Sequence, residues 1–144
     1  CSPKELKVLL SSAIECTIGQ RLVRRLCPNC KQLAVPSADL LNSARTALAQ
    51  LSGRAGIPAV DDLHFYKAVG CPACGGLGYK GRLGIYEAVN MSSEMQKLIQ
   101  SPLLTEDDIE KLAVEQGATL MIHDGILKAS QGETTLEEVF RVAA

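Results

Sequence analysis

Cys27-Pro28-Asn29-Cys30 and Cys71-Pro72-Ala73-Cys74-Gly75 repeat one short pattern, C-P-x-C, with 40 residues between the two copies. Two residues between cysteines let one tight turn aim both sulfurs at the same point; the proline helps set the turn, and Gly75 tolerates the backbone conformation that follows. Two such turns supply four soft ligands, the set a tetrahedral structural zinc site takes. The candidate metal ligands are therefore Cys27, Cys30, Cys71 and Cys74. With all four positions filled by protein, the ion holds structure and has no open position at which to activate water. Structural zinc contributes roughly 10 to 16 kcal/mol of apparent binding free energy in small peptides, against about 5 to 15 kcal/mol for a whole domain's net stability. The segment around the cysteines is expected to unfold without its metal.

The alternatives are redox pairs, disulfides and unrelated buried cysteines. A redox C-x-x-C sits in a thioredoxin-like βαβ context that this sequence does not show, and a cytosolic setting disfavours stable disulfides. Zinc is the favoured reading. Cys1 and Cys16 fall outside any paired spacing and read as small hydrophobes. Four thiolates around a divalent ion leave a negative centre, so Arg24, Arg25, Lys31, Lys67, Lys80 and Arg82 have a local electrostatic reason to lie nearby.

Upstream of the first pair, Ser2-Pro3-Lys4-Glu5 is a helix start, with an acceptor side chain, a proline at the first helical position and a returning Glu. Leu6, Leu9, Leu10, Ala13, Ile14, Ile18, Leu22 and Leu26 continue near the helical period, weakened by Thr17, Ile18 and Gly19, so this stretch reads as helix, or as helix then strand. Between the pairs, Leu40, Leu41, Ala44, Ala47, Leu48 and Leu51 form a helical insert over residues 37–52, followed by Gly53, Gly56 and Pro58. Leu63 to Val69 and Leu83 to Val89 read as short strands of a ribbon flanking the second pair. Four short helices follow. Ser92 or Ser93 starts the first, Thr105 with Asp108 the second, which Gly117 ends, and Thr119 the third, interrupted by Gly125; Thr135 with Glu138 makes a capping box for the last. An internal boundary is expected near Asn90 to Ser93.

The 144 residues are 47% hydrophobic but only 3% aromatic, without Trp, so burial must come from aliphatic side chains, which favours packed helices. A formal charge of -1 supplies no global field to draw the chain to nucleic acid or an anionic membrane. No apolar run of about 18 residues is present and the N-terminus lacks signal-peptide character, so a soluble, intracellular chain without membrane insertion is expected. It begins at Cys1, without an initiator Met, and enters a helix at once, as a piece of something longer would.

Other motifs carry less. Gly76-Leu77-Gly78-Tyr79-Lys80-Gly81 spells G-x-G-x-x-G, but it follows a cysteine turn and leads into a strand, the reverse of the order a dinucleotide loop needs. No G-x-x-x-x-G-K-[ST] phosphate cradle occurs, so this chain is not expected to hydrolyse ATP by itself, and no catalytic residue is assigned. The basic run Arg21, Arg24, Arg25 and Lys31 reads as a solvated face ahead of a subunit contact or nucleic-acid surface. His64 and His123 are isolated and read as surface or packing residues. Glu106, Asp107, Asp108 and Glu110 fall in a first helical turn, where negative charge suits the helix dipole.

Several segments taken together carry a resemblance. Gln20-Arg21-Leu22-Val23-Arg24 runs into Leu26-Cys27-Pro28-x-Cys30-Lys31; Gly70-Cys71-x-x-Cys74 is followed by Gly78-Tyr79-Lys80-Gly81-Arg82-x-Gly84-Ile85-Tyr86-Glu87. Asp124-Gly125-Ile126-Leu127-Lys128 and Gln131-Gly132-x-Thr134-Thr135-Leu136-Glu137-Glu138-Val139 close the chain. In this order they resemble the type II secretion and type IV pilus assembly ATPases, over nearly the whole chain apart from the insert.

The resemblance implies a cytoplasmic hexamer of RecA-like subunits, peripheral to the bacterial inner membrane, that contacts an inner-membrane platform protein; ATP and Mg would belong to the upstream core. It implies a mainly α fold with a small zinc-bound β ribbon, the C-terminal fragment of a RecA-like traffic ATPase. Residues 1–26 would end the ATPase domain, residues 27–90 form the four-cysteine module and residues 91–144 the helical C-terminal region. The alternatives are a stand-alone zinc-ribbon module binding nucleic acid or protein, against which near-neutral charge and few aromatics count, and a thiol oxidoreductase.

Overall fold

The computed structural model describes residues 3–51 and 57–143. The cap expected at Ser2 and the glycines at 53 and 56 lie outside them, as does Cys1. The described chain is mainly helical, with two small sheets. Helix α1 (Pro3–Ala13) leads into strand β1 (Cys16–Leu26), so the helix-then-strand form of the N-terminal reading holds. Thr17, Ile18 and Val23 are β-branched and Gly19 is a poor helix former, which lets strand pairing override the apolar period. Then come β2 (Gln32–Ala34), α2 (Ala38–Ala49), β3 (Phe65–Lys67), β4 (Tyr79–Asn90), α3 (Ser93–Gln100), α4 (Glu106–Glu115), α5 (Met121–Ser130) and α6 (Leu136–Ala143).

The expected ribbon is arranged differently from the sequence reading. The two predicted strands do not pair with each other: β4 pairs with β1, and β3 pairs antiparallel with β2, Leu33 opposite Tyr66. Strand β2 is three residues long, too short for an alternating pattern to announce it. The described residues form two compact units, each built from two chain segments, Cys1–Gly19 with Glu87–Leu120, and Gln20–Tyr86 with Met121–Ala144.

In the first unit α1 packs on α3 and α3 on α4. Ser92 caps α3 by accepting from the Met95 N–H at 3.1 Å, and the Met95 side chain is fully buried. Thr105 and Asp108 form a reciprocal capping box on α4, whose hydrogen bonds hold the Asp108 carboxyl below its ordinary range.

The second unit is centred on α5 and α6, where Ile126, Ala129, Leu136 and Val139 are buried. Gly125 does not interrupt α5 as its residue type suggested. It lies inside the helix where α6 approaches closely: a Cβ there would sit 2.5 Å from Cγ1 of Val139. The insert helix α2 is tied to α5 through His123, which is buried with Nε2 3.0 Å from the Ala47 carbonyl. His123 is thus the packing residue expected, and His64 is exposed.

The C-terminal segment locks onto β1. The Leu26 N–H donates to the Glu133 carbonyl at 2.8 Å, and Thr134 Oγ1 donates to the Arg24 carbonyl at 2.8 Å. The Glu138 N–H donates to Thr135 Oγ1, which is half of the expected capping box. The other half is replaced. The Glu138 carboxylate, 2% exposed, accepts from the Arg24 backbone N–H at 3.0 Å, the Arg24 guanidinium at 2.6 Å and the Arg141 guanidinium at 2.8 Å. Burial alone would push this carboxyl up; the hydrogen bonds from Arg141 and Arg24 outweigh it and hold the group down at about 2.

A carboxylate held below its unfolded value stabilises the fold above the unfolded pKa and loses that contribution as pH falls through the folded one. The Glu138 contribution is therefore complete above about pH 4.5 and disappears towards about pH 2. Glu138→Gln is expected to cost on the order of 3 kcal/mol at neutral pH and to flatten the acid limb of a urea-midpoint against pH series over that window. Gly125→Ala is expected to lower stability by about 1 to 3 kcal/mol through overpacking against Val139, read from the same denaturation curves.

Candidate metal centre

Cys27 directly follows the last residue of β1, and its carbonyl accepts from the Cys30 N–H at 3.3 Å and the Lys31 N–H at 3.1 Å, which turns the chain and brings Cys30 back beside it. The second knuckle is a single 3-10 turn, Pro72–Cys74, with proline at its first position, where a missing N–H costs nothing. Gly75 ends it in the left-handed region, at φ 64°. The knuckles are joined by backbone as well as sulfur, since the Cys27 N–H donates to the Gly78 carbonyl at 2.9 Å.

All four Sγ atoms lie within 4.8 Å of one another. Cys27 and Cys71 stand 3.9 Å apart, Cys30 and Cys74 3.8 Å, and Cys71 and Cys74 3.8 Å. A tetrahedron of sulfurs about 2.3 Å from a central zinc has edges of about 3.8 Å, so these separations fit the ion. They are nearly twice the roughly 2.05 Å of a disulfide bond. Among the described residues these four cysteines are the group of chemistry and spacing suited to a metal. Cys27 and Cys74 are buried, and Cys30 and Cys71 are half-buried.

Cys74 is prepared as a thiolate. Its sulfur accepts N–H bonds from Cys71 and Gly78, both at 3.2 Å. The Cys71 N–H is the larger influence; with Gly78 it overcomes the opposing effect of burial and draws the thiol down to about 6. Burial acts in the other direction on Cys30, which is pushed up to about 11. Like charges this close resist one another, so in a cluster of four thiols each proton lost makes the next harder to remove, and a divalent cation at its centre would relieve that conflict.

The glycine run after the second knuckle belongs to this support. Gly78 has φ +74°, and a Cβ there would lie 2.6 Å from the Ala68 Cβ, so glycine is needed for its N–H to reach Cys74. These two N–H donors carry no side-chain signal of their own. The trace of them in the sequence is the spacing of Cys71, Cys74 and Gly78.

Two of the basic residues expected near the cluster have partners of their own. Arg24 is committed to Glu138 and lies 4.2 Å over the Tyr79 ring; Lys31 donates to the Gly132 carbonyl at 2.8 Å and lies over Tyr66. Both serve the packing of the C-terminal segment. Arg25, Lys67, Lys80 and Arg82 are exposed. Cys16 is exposed on β1, and neither histidine joins the sulfur cluster.

Residues 5–141 match the family described as Type II/IV secretion system protein. The chain is 35% identical over 130 residues to the type IV pilus assembly ATPase PilB of Thermus thermophilus, covering 90% of this chain and 14% of that protein. It is 35% identical over 137 residues to the type II secretion system ATPase E of Vibrio cholerae, covering 93% of this chain and 24% of that protein. It is 36% identical over 136 residues to PilB of Pseudomonas aeruginosa, covering 92% of this chain and 22% of that protein. The chain therefore spans about a seventh to a quarter of the length of these relatives. With the match running from the first helix to the last across both cysteine turns, the chain belongs to the Type II/IV secretion system protein family.

Proposed function

We propose that this chain is the zinc-stapled accessory region of a hexameric ATPase that powers type II secretion or type IV pilus assembly. The observation that carries the reading is the convergence of four cysteine sulfurs at zinc-like separations within a chain of this family. In this reading Cys27, Cys30, Cys71 and Cys74 hold one structural zinc, which supplies a fixed cross-link and no reactive position. The cross-link joins the end of β1 to the turn before β4, so it holds the register of the β1 and β4 pair from one end.

Hydrolysis is assigned to a RecA-like core in the rest of a longer protein, where ATP and Mg would bind, because the phosphate-cradling motif is missing from these 144 residues. Residues 1–26 would close that core, residues 27–90 form the metal module, and residues 91–144 the helical region that meets neighbouring subunits and an inner-membrane platform protein. The relatives' names support ATP-driven secretion or pilus assembly. Among the described residues no helix is long and apolar enough to cross a membrane.

Elemental analysis of the purified chain is expected to give about one zinc per chain, lost together with the thermal transition of the cysteine-bearing segment on chelation. Joint Cys71→Ser and Cys74→Ser substitution is expected to abolish retained zinc and lower the melting midpoint. Unchanged metal content and melting in that double variant would remove the metal assignment.

A further inference from the structure

The four sulfur positions of the cluster are not equivalent. Cys27 and Cys74 are buried, at 1% and 8% exposure, whereas Cys30 and Cys71 are half-buried and meet solvent. The Cys71 sulfur lies 3.8 Å from that of Cys74 and 3.9 Å from that of Cys27, so a small reagent that reaches Cys71 finds a second sulfur directly behind it. Cys74 is held in that place by the N–H groups of Cys71 and Gly78.

The second knuckle also has the backbone to close on itself. The Cys74 N–H donates to the Cys71 carbonyl at 3.1 Å, the bond of a tight turn, which keeps the two Cα atoms within about 7 Å. A disulfide needs Cα atoms about 4.4 to 6.8 Å apart, so joining this pair asks mainly for rotation of the two side chains. Pro72 and Ala73 are exposed, and Gly75 and Gly76 leave open space where side chains would stand, so little packing resists the adjustment. The first knuckle lacks this freedom, because the Cys27 N–H is bonded to Gly78 and its carbonyl to Cys30 and Lys31.

We propose that the second knuckle is an oxidation site, at which hydrogen peroxide entering at Cys71 closes a Cys71 to Cys74 disulfide and withdraws two of the four ligands from the metal. The proposal rests on the reading of the cluster as a zinc site. A ligating cysteine is already a thiolate, the form that reacts with peroxide. The Cys71 thiolate attacks one peroxide oxygen: the S–O bond forms, the O–O bond breaks and hydroxide leaves. The Cys74 thiolate then attacks the Cys71 sulfur, forming the S–S bond and expelling a second hydroxide from the sulfenic acid. Two thiolates together lose two electrons, and one peroxide gains them to give two hydroxide ions, which two solvent protons convert to water. Cys27 and Cys30 are left as half of a tetrahedral set, too few to keep a structural ion closed in. The end of β1 thereby loses its sulfur tie to the turn before β4, and a dithiol reductant restores it.

In the test the zinc-loaded chain is treated with hydrogen peroxide, zinc release is followed with a chromogenic chelator, and free thiols are alkylated before peptide mass mapping. About one zinc is expected to leave for each Cys71 to Cys74 disulfide formed, with Cys27 and Cys30 recovered as alkylated thiols and zinc taken up again after reduction. Cys71→His keeps four ligands of a kind that structural zinc accepts and removes the entry sulfur. It is expected to hold zinc and to release it about tenfold more slowly in the same peroxide.

A disulfide that maps to Cys27 and Cys30, or to Cys30 and Cys74, would overturn the proposal. So would zinc release with Cys71 and Cys74 still reduced, or a zinc-loaded Cys71→His variant that loses its metal as fast as the unsubstituted chain. A chain that keeps its zinc and its four cluster thiols in peroxide sufficient to oxidise the exposed Cys16 would overturn it as well. Should Cys71→His not retain metal, the disulfide map of the unsubstituted chain decides alone. A chain that binds no zinc before oxidant is added defeats the metal reading instead, so the two failures are told apart.

Discussion

Four sulfur atoms converge on one point where two turns far apart in the chain meet. The knuckles at Cys27 and Cys71 are far apart in sequence, and each is a turn of only a few residues with few apolar atoms to bury. Their meeting depends on the cluster itself, on the Cys27 N–H to Gly78 carbonyl bond, and on the strand pair that ends there. Thiolates crowded to within 4.8 Å repel one another, so this geometry is costly without a cation and strongly favourable with one. Backbone N–H bonds draw the Cys74 thiol down while burial pushes the Cys30 thiol up, so two sulfurs of one cluster are held differently.

The second constraint on the same unit is ionic and needs no metal. Glu138 reaches from α6 to the Arg24 backbone and guanidinium on β1, with Arg141 completing the set and Tyr79 lying under Arg24. A buried carboxylate with two guanidinium partners and a backbone donor satisfies the condition under which burying charge is tolerated. Sulfur at one end of β1 and carboxylate beside it divide the work: the first fixes where the strand stops, the second fixes which helix lies against it.

Much of this was legible in the sequence, and the gaps have specific causes. The sulfur cluster follows from spacing because two-residue separations are set by turn geometry, which is local. Ser37, Ser92 and Thr105 mark helix starts for the same reason, since a cap acts over three residues. The strand partners were not legible, because β1 pairs with β4 across the whole insert and no residue type encodes that distance. Glu138 looked like the second member of a capping box, and its true partner lies 114 residues away. Gly125 read as a helix breaker, whereas close approach of Val139 makes the lack of a side chain the point of that position.

The Arg24 to Glu138 tie also bears on the order in which the protein is made. A ribosome emits β1 before α6, so the strand that will carry the buried ion pair waits, incompletely packed, while the 114 residues that separate Arg24 from Glu138 are made. Contacts of such long sequence separation close late and slowly, and an unfinished strand edge is open to wrong partners in the interval. The four sulfurs can meet once the second cysteine turn has emerged, which brings the end of the strand beside its partner before the final helix arrives.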